Sequence, residues 1–251
     1  MKYIENPEKP VLTVMLQAKE PDEIVTEIAE TLAAGTDAFG LQIEHLKPEH
    51  KTKEVYRRIF DAMQGKPAYV TNYRRGNNQP ELTDDELAAQ LLDMLDCGAT
   101  LIDIPGDMFC PSKWEMTYNS EAVKKQMALI DEIHARGGEV LMSSHVLEFI
   151  PKAHAYDIAR EHARRGADVA KIVTNADTEE ELRENLEISI GLNRECPVPF
   201  LFLCNGKKCR KHRLYGPALG SNLFLCIEDS RWHGQNQPAL GDAKRIIGAY
   251  E

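Results

Sequence analysis

The chain has 251 residues, 43% of them hydrophobic, which is enough to fill the core of one (β/α)8 barrel or of two smaller domains. Its formal net charge of −10 at pH 7 argues against nucleic acid or an anionic membrane surface as a partner of the whole molecule. No apolar run approaches the length that spans a bilayer, and residues 1–10 are too polar for a secretory signal, so we expect a cytoplasmic protein without a membrane partner.

Short apolar strands alternate with amphipathic helices along the chain. Helix starts are marked by Pro21 and by the capping boxes Thr83-x-x-Glu86 and Thr178-x-x-Glu181. The predicted strands cover residues 11–17, 38–44, 67–72, 100–104, 139–145, 169–173, 200–204 and 222–226. The predicted helices cover residues 22–34, 53–63, 83–97, 120–136, 151–165, a segment that begins after residue 178, and 239–250.

Four helix-to-strand turns repeat one device, a glycine at Gly35, Gly98, Gly137 or Gly166 just before an apolar strand. Glycine supplies the left-handed residue that ends a helix and returns the chain to the sheet. Strand-helix units of about thirty residues, with strands that are apolar throughout, are typical of parallel strands buried on both faces. Eight of them predict a single-domain (β/α)8 barrel over residues 1–251. No Gly-x-Gly-x-x-Gly follows a strand, so no dinucleotide is expected.

In such a barrel the chemistry lies at the C-terminal ends of the strands. Lys171 stands inside an apolar run late on the sixth strand, and His145 ends the fifth, so the two are neighbours on one rim. A lysine that points into a dry cavity loses its proton more easily and becomes a nucleophile toward a carbonyl, whereas one that faces water is an ordinary strand-end residue. Paired with Lys171, His145 is well placed to move protons next to an imine.

Six cysteines are spread along the chain, a pattern that favours reduced thiols over a disulfide framework. Cys204, Cys209 and His212 have Cys-x4-Cys-x2-His spacing without a second pair, so no metal site is predicted. Five of the seven residues 207–213 are basic. This run is either a solvated loop or a positive rim that concentrates a small anionic substrate.

Several segments together resemble the type I 3-dehydroquinate dehydratases. Leu-Met-Ser-Ser-His at 141–145 and Gly-Ala-Asp-Val-Ala-Lys-Ile at 166–172 are similar to that family's histidine and lysine segments. Residues 213–221, beginning at Arg213, resemble its segment that ends in Phe-Gly-Ser, and Asn72-Tyr73-Arg74 resembles its Thr-Phe-Arg. Gln237 falls where the family has a glutamine in its closing loop. The likeness runs over nearly the whole chain.

The resemblance implies a lyase that converts 3-dehydroquinate to 3-dehydroshikimate in shikimate or quinate metabolism, without a cofactor or metal and as a homodimer. Lys171 is then the Schiff-base residue, His145 the acid and base, and Arg213 the anchor of the substrate carboxylate. Arg74 is a weaker anchor, because Arg75 beside it is an alternative. The remaining substrate-binding residues implied are Gln42, Glu44, His233 and Gln237, the last two in a loop that closes over the ligand.

The chain also departs from the family. Gly40, Gln42 and Glu44 stand where the family has Glu-x-Arg-x-Asp, and Asn-Asn-Gln at 77–79 replaces its Glu-Gly-Gly. Gln42 either binds a substrate hydroxyl or packs in the barrel, and Glu44 or Asp103 either orients His145 or is structural. Two other functions therefore remain: Schiff-base chemistry on a different cyclic keto acid or a polyol-derived ketone, and a non-catalytic barrel that binds a metabolite. A buried amine is unfavourable in a pure binding module, which disfavours the last.

Overall fold

The protein is a (β/α)8 barrel, as predicted. The computed structural model describes residues 2–231 and 236–249, and within them eight parallel strands alternate with helices. The strands are β1 (Val11–Leu16), β2 (Ala38–Gln42), β3 (Ala68–Thr71), β4 (Leu101–Pro105), β5 (Glu139–His145), β6 (Val169–Asn175), β7 (Phe200–Asn205) and β8 (Leu223–Cys226). The helices are α1 (Pro21–Ala33), α2 (Lys53–Ala62), α3 (Asp84–Cys97), α4 (Ser120–Ala135), α5 (Lys152–Arg164), α6 (Glu179–Glu195), α7 (Cys209–Tyr215) and α8 (Leu240–Ile247).

The predicted start and stop signals act locally as expected. Both capping boxes form, with the threonine side chain accepting from the third helical N–H and the glutamate accepting from the threonine N–H. The four turn glycines all have positive φ, from +83° at Gly35 to +129° at Gly98. These conformations are open to glycine and strained for other residues.

Two segments differ from the predictions. The second strand ends at Gln42 and turns into a 3-10 helix, Ile43–His45, so Glu44 lies beyond the ladder. From Cys209 onward the basic run is a short helix, α7, and not a loop. It is amphipathic: Cys209, His212 and Arg213 are buried, whereas Lys211 faces solvent near Glu179 of α6. The sequence did not reveal the helix because its buried face contains a charged residue, Arg213, where an apolar residue is the usual signal.

The strand order is β7-β6-β5-β4-β3-β2-β1-β8, so the seam of the barrel lies between β7 and β8. Asn222, just before β8, joins the two sides: its N–H donates to the Phe200 carbonyl at 2.9 Å, and its side-chain oxygen accepts from the Phe200 N–H at 2.8 Å. Its amide group also donates to the Pro7 carbonyl at 2.7 Å. One buried side chain thus fastens the seam to the N-terminal segment.

The core has two layers. Outward-facing strand residues pack under the helices, while inward-facing ones fill the barrel, among them Met15, Tyr69, Leu141 and Leu201. Tyr3 closes the N-terminal end of the barrel, with its hydroxyl 2.8 Å from Thr13 Oγ1. No helix within residues 2–231 and 236–249 is both long and apolar enough to cross a membrane.

Substitution of Asn222 tests the seam. Asn222→Ala leaves the Phe200 N–H and the Pro7 carbonyl without their partners, so we expect the free energy of unfolding to fall by about 1–3 kcal/mol. Urea denaturation at constant pH measures this loss. Glu187→Ala, on the exposed face of α6, is the control and should change stability by less than about 0.5 kcal/mol. Equal effects of the two substitutions would show that the seam does not depend on this amide.

Candidate active site

The alternation of side chains along β6 decides where Lys171 points. Val169 and Val173 belong to the apolar cluster inside the barrel, whereas Ala170 and Ile172 pack outward. Lys171 shares the inward period and is only 5% exposed. Its amine is therefore held in the barrel interior and not on the surface.

Three acceptors surround the Lys171 amine. They are Tyr69 Oη at 2.9 Å, Tyr73 Oη at 2.6 Å and Asp103 Oδ2 at 3.3 Å. Asp103 is fully buried, and its other oxygen accepts from Ser143 Oγ at 2.5 Å. Both tyrosine hydroxyls also donate to Asp103 Oδ2. Burial, together with the Asp103 charge, raises the pKa of both phenols well above 10, so they are protonated donors at neutral pH.

His145 lies two residues further along β5 than Ser143, the register partner of Lys171. Its Nδ1 lies 2.6 Å from Glu115 Oε2, which also accepts from the His145 N–H at 2.9 Å. The imidazole packs edge-on against Tyr73, with ring centroids 4.8 Å apart. Tyr73 therefore contacts both Lys171 and His145.

Glu115 belongs to the long loop between β4 and α4 and has a φ of +48°. A left-handed conformation is uncommon for glutamate, and here it accompanies the contact of the carboxylate with the imidazole. Burial acts to raise the pKa of Glu115, but the hydrogen bonds and charge of His145 outweigh it and lower that pKa to about 2. Glu115 is ionised at neutral pH and orients the ring, a role that Glu44 and Asp103 do not take.

A cavity of about 200 Å³ opens beside this cluster at the C-terminal ends of the strands. A larger one, about 370 Å³, lies at the opposite end, between the N-terminal segment and the turns at Asp37 and Lys66. We favour the smaller as the site, because it adjoins the imidazole and the buried amine. It is lined by Gln42, Glu44, His45, Tyr73, Arg75 and His145.

Glu44 and Gln42 form the wall of the cavity that β2 provides. Glu44 is 1% exposed and accepts from Thr71 Oγ1 at 2.9 Å and from Gln42 Nε2 at 3.0 Å. Gln17 donates to Gln42 from the end of β1. Burial raises the pKa of Glu44 to about 7.

Gly40 explains how Tyr69 reaches the amine. Gly40 pairs with Met15 on one side and with Tyr69 on the other, and a Cβ at this position would overlap the Met15 sulfur and press on the Tyr69 ring. The missing side chain on β2 thus makes room for a tyrosine from β3.

Arg74 does not reach the cavity. Its guanidinium binds Asp84 at 2.6 and 2.8 Å and Asp107 at 2.9 Å, which fastens the loop after β3 to the start of α3. Arg75, its neighbour, lines the cavity instead and lies 3.1 Å from Glu115. Of the two arginines that the sequence offered for this role, Arg75 and not Arg74 lines the cavity.

Arg213 is buried, at 6% exposure, and contacts only neutral oxygens among the residues described. It donates to the Cys204 carbonyl at 3.0 Å, Asn205 Oδ1 at 3.0 Å and Gln237 Oε1 at 2.8 Å. Burial lowers its pKa. Gln237 is thereby fixed beside Arg213, while His233 lies outside the residues that the structure describes.

The cysteines of the basic segment are not arranged around a metal ion. All six cysteines are free thiols, as predicted, and His212 contacts Ser189 Oγ at 3.2 Å. Across residues 2–231 and 236–249, no three of the potential metal-binding side chains converge on one point.

Sequence reasoning missed Tyr69, Tyr73 as a contact of the amine, and Glu115. Tyr69 carries a signal in retrospect, since it stands on the inward period of β3. Glu115 carries none, because its loop folds back over about thirty residues to reach His145.

Comparisons with known proteins agree with the fold. A profile of the family described as type I 3-dehydroquinase matches residues 12–250. No match was found among the curated proteins.

Three solved structures of 3-dehydroquinate dehydratases, the first of them described as type I, share the fold at low sequence identity. The Clostridium difficile enzyme, crystallised with covalently modified comenic acid, is 16% identical, with a TM-score of 0.81 over 96% of this chain and 92% of that one. The Geobacillus kaustophilus enzyme is 15% identical, with a TM-score of 0.79 over 96% and 91%. The Enterococcus faecalis enzyme is 15% identical, with a TM-score of 0.78 over 97% and 95%.

The raised pKa of Glu44 predicts how stability changes with pH. Its pKa rises from the usual 4.5 to about 7 on folding, so its contribution is fully present below about pH 4.5 and is lost as the pH rises through 7. Glu44→Gln keeps an acceptor for Thr71 and removes this dependence. The stability of the variant relative to wild type should therefore increase by about 3 kcal/mol between acidic and alkaline pH.

Urea unfolding at a series of pH values measures this difference. Glu49→Gln, at an exposed carboxylate in the next 3-10 helix, is the matched control and should show no such trend. Parallel pH profiles for wild type and Glu44→Gln would contradict a carboxyl that is protonated by burial.

Proposed function

This chain belongs to the type I 3-dehydroquinase family, and we propose that it is a hydro-lyase that forms a Schiff base through Lys171. The proposed reaction is the dehydration of 3-dehydroquinate to 3-dehydroshikimate. The observation that carries the proposal is the Lys171 amine, buried in the barrel and joined through Tyr73 to a histidine that a carboxylate orients.

The mechanism follows from this placement. The neutral amine attacks the ring ketone and water leaves, so that an iminium forms and draws electrons from the adjacent carbon. His145 removes the proton from that carbon and then gives it to the departing hydroxyl. Hydrolysis of the iminium releases the enone and restores the amine. Glu115 stabilises the imidazolium between the two transfers, since it is ionised at neutral pH.

Arg213 is the proposed anchor of the substrate carboxylate. A buried guanidinium that contacts only neutral oxygens leaves a positive charge uncompensated, and a carboxylate ligand would balance it. The planar fork of arginine also suits two carboxylate oxygens. Gln237 accepts a hydrogen bond from this guanidinium, and we propose that it binds the substrate together with Arg213. Arg75 and Gln42 are proposed to contact the ring substituents from the opposite wall.

A second candidate keeps the lysine and changes the substrate. Gly40 and Gln42 leave β2 without a charged side chain, and Tyr69 and Tyr73 enclose the amine more tightly than small residues would. These features favour a ketone with fewer or differently placed hydroxyls. The biosynthetic or catabolic role, the cytoplasmic location and the homodimer stay predictions.

Borohydride trapping tests the Schiff base. With 3-dehydroquinate and borohydride, we expect a stable adduct mass on the peptide that contains Lys171, since reduction fixes the imine. Exposed Lys124 in the same digest is the internal control and should stay unmodified. His145→Ala should slow turnover by about 10²–10⁴-fold and still allow some adduct. Full turnover by Lys171→Ala would falsify the proposal.

The same experiment separates the candidates. An adduct only with another cyclic keto acid or a polyol-derived ketone supports the changed substrate. No adduct with any ketone supports a barrel that binds a metabolite without converting it.

Arg213→Lys tests the anchor. It keeps the charge and loses the fork, so we expect KM for the keto acid to rise by about 10- to 100-fold with a smaller change in kcat. Steady-state kinetics measures both constants. Lys211→Gln removes a charge from the exposed face of the same helix and is the control. If Lys211→Gln raises KM as much, the whole positive rim attracts the substrate and Arg213 is not a specific anchor.

A further inference from the structure

Tyr73 separates the cavity from the Lys171 amine. Its side chain lines the cavity, and its hydroxyl is the nearest of the three acceptors, 2.6 Å from Nζ. Tyr69 and Asp103 are fully buried and do not line that cavity. A ketone that enters from the cavity therefore meets Tyr73 at the point where the new carbon–nitrogen bond has to form.

The hydrogen bonds of the amine are saturated in this arrangement. An ammonium has three N–H bonds, and the three acceptors around Lys171 are Tyr69, Tyr73 and Asp103. The nitrogen has no lone pair until one proton leaves. A solvent path is poor for a side chain that is only 5% exposed, so the proton acceptor has to be one of these neighbours.

Tyr73 connects the two ends of the buried ion pair. Its oxygen accepts from Lys171 Nζ, and its hydroxyl donates to Asp103 Oδ2. The direct contact between Nζ and Oδ2 is longer, at 3.3 Å. Two short hydrogen bonds through a phenol are therefore the better route for a proton from the ammonium to the carboxylate.

We propose that Tyr73 is a catalytic residue that carries protons between Lys171, Asp103 and the substrate oxygen during imine formation. The proposal rests on the Schiff-base role proposed for Lys171. In the first step an N–H bond of the ammonium breaks and its proton binds the Tyr73 oxygen, while the Tyr73 O–H proton moves to Asp103. The amine and the carboxyl become neutral together, so the net charge of the cluster does not change.

The remaining protons balance within the same cluster. The amine lone pair attacks the carbonyl carbon, and the carbon–oxygen π electrons move to oxygen, which takes a second proton from nitrogen through Tyr73. The proton on Asp103 then passes through Tyr73 to the same hydroxyl. The carbon–oxygen bond breaks, water leaves and the nitrogen lone pair completes the iminium. Asp103 is again a carboxylate, next to the new cation.

This assignment divides the proton transfers between two pairs of residues. Tyr73 and Asp103 act on the nitrogen and on the ketone oxygen. His145 and Glu115 act on the ring carbon and on the hydroxyl that leaves it. The edge contact between Tyr73 and the imidazole keeps the two pairs next to one carbonyl group.

Reductive methylation tests the relay without any cyclic substrate. Formaldehyde with cyanoborohydride methylates amines through an imine, and peptide mass spectrometry measures the rate at Lys171 and at exposed Lys124. Tyr73→Phe keeps the ring against His145 and removes only the hydroxyl. We expect methylation of Lys171 at neutral pH to slow by about a hundredfold, with Lys124 unchanged.

Tyr69→Phe is the matched control. It deletes another hydroxyl that binds both Lys171 and Asp103 but leaves the cavity side intact, so it should slow methylation of Lys171 by less than about tenfold. Faster methylation in Tyr73→Phe would mean that Tyr73 is only a plug, and equal slowing in both variants would mean a general loss of hydrogen bonding. Either result overturns the relay.

The two proposals fail in different ways. If 3-dehydroquinate gives no borohydride adduct but Tyr73→Phe still slows methylation of Lys171, the relay stands and the dehydratase is wrong. If the adduct forms and methylation is the same in wild type and Tyr73→Phe, the dehydratase stands and the relay is wrong.

Discussion

The buried ion pair between Lys171 and Asp103 is the interaction on which the site depends. Removing two charges from water costs several kcal/mol for each ion, and their attraction offsets this only when further hydrogen bonds satisfy both groups. Tyr69, Tyr73 and Ser143 supply those bonds. Except for Tyr73, these residues come from the adjacent strands β3, β4, β5 and β6 and form one layer of the barrel interior. The fold and the reactive amine are therefore stabilised by the same contacts.

Nearer the cavity, three charged or titratable side chains lie in a row: His145, Glu115 and Arg75. The carboxylate of Glu115 faces the imidazole of His145, and Arg75 balances Glu115 from the cavity side. Glu44, by contrast, is buried, and among the residues described its side-chain hydrogen-bond partners, Gln42 and Thr71, are neutral, so burial dominates its pKa. The pocket thus combines an ionised carboxylate beside His145 with a second carboxyl whose charge depends on pH near neutrality.

Much of the architecture could be predicted from the sequence. Glycine turns, capping boxes and uninterrupted apolar strands are local signals, and each is present where it was expected. The sequence left two positions open for Lys171, inside the barrel or facing water. The alternation of side chains along β6 does not by itself show which face of the strand is the interior. The barrel decides it, since Val169 and Val173 pack inside.

The residues that could not be predicted depend on long-range contacts. Glu115 reaches His145 from a loop, and no periodic pattern records that contact. Arg74 and Arg75 are adjacent, so only the direction of the chain after β3 separates a structural ion pair from a residue of the cavity wall. Arg213 was singled out by the family resemblance, but its burial could not be predicted, because charge alone does not distinguish a buried guanidinium from an exposed one.

The seam at Asn222 has a consequence for how such a barrel diverges. Lys171 lies on β6, one strand from the seam, and Asp103 on β4, in the middle of the sheet order, whereas α7, with Arg213, follows β7 at the seam itself. Within the part of the chain that the structure describes, Arg213 shares no hydrogen-bond partner with Lys171, so substitutions around α7 can accumulate beside this discontinuity in the sheet without breaking a bond of the buried amine. One scaffold can in this way keep its reaction while its substrates change.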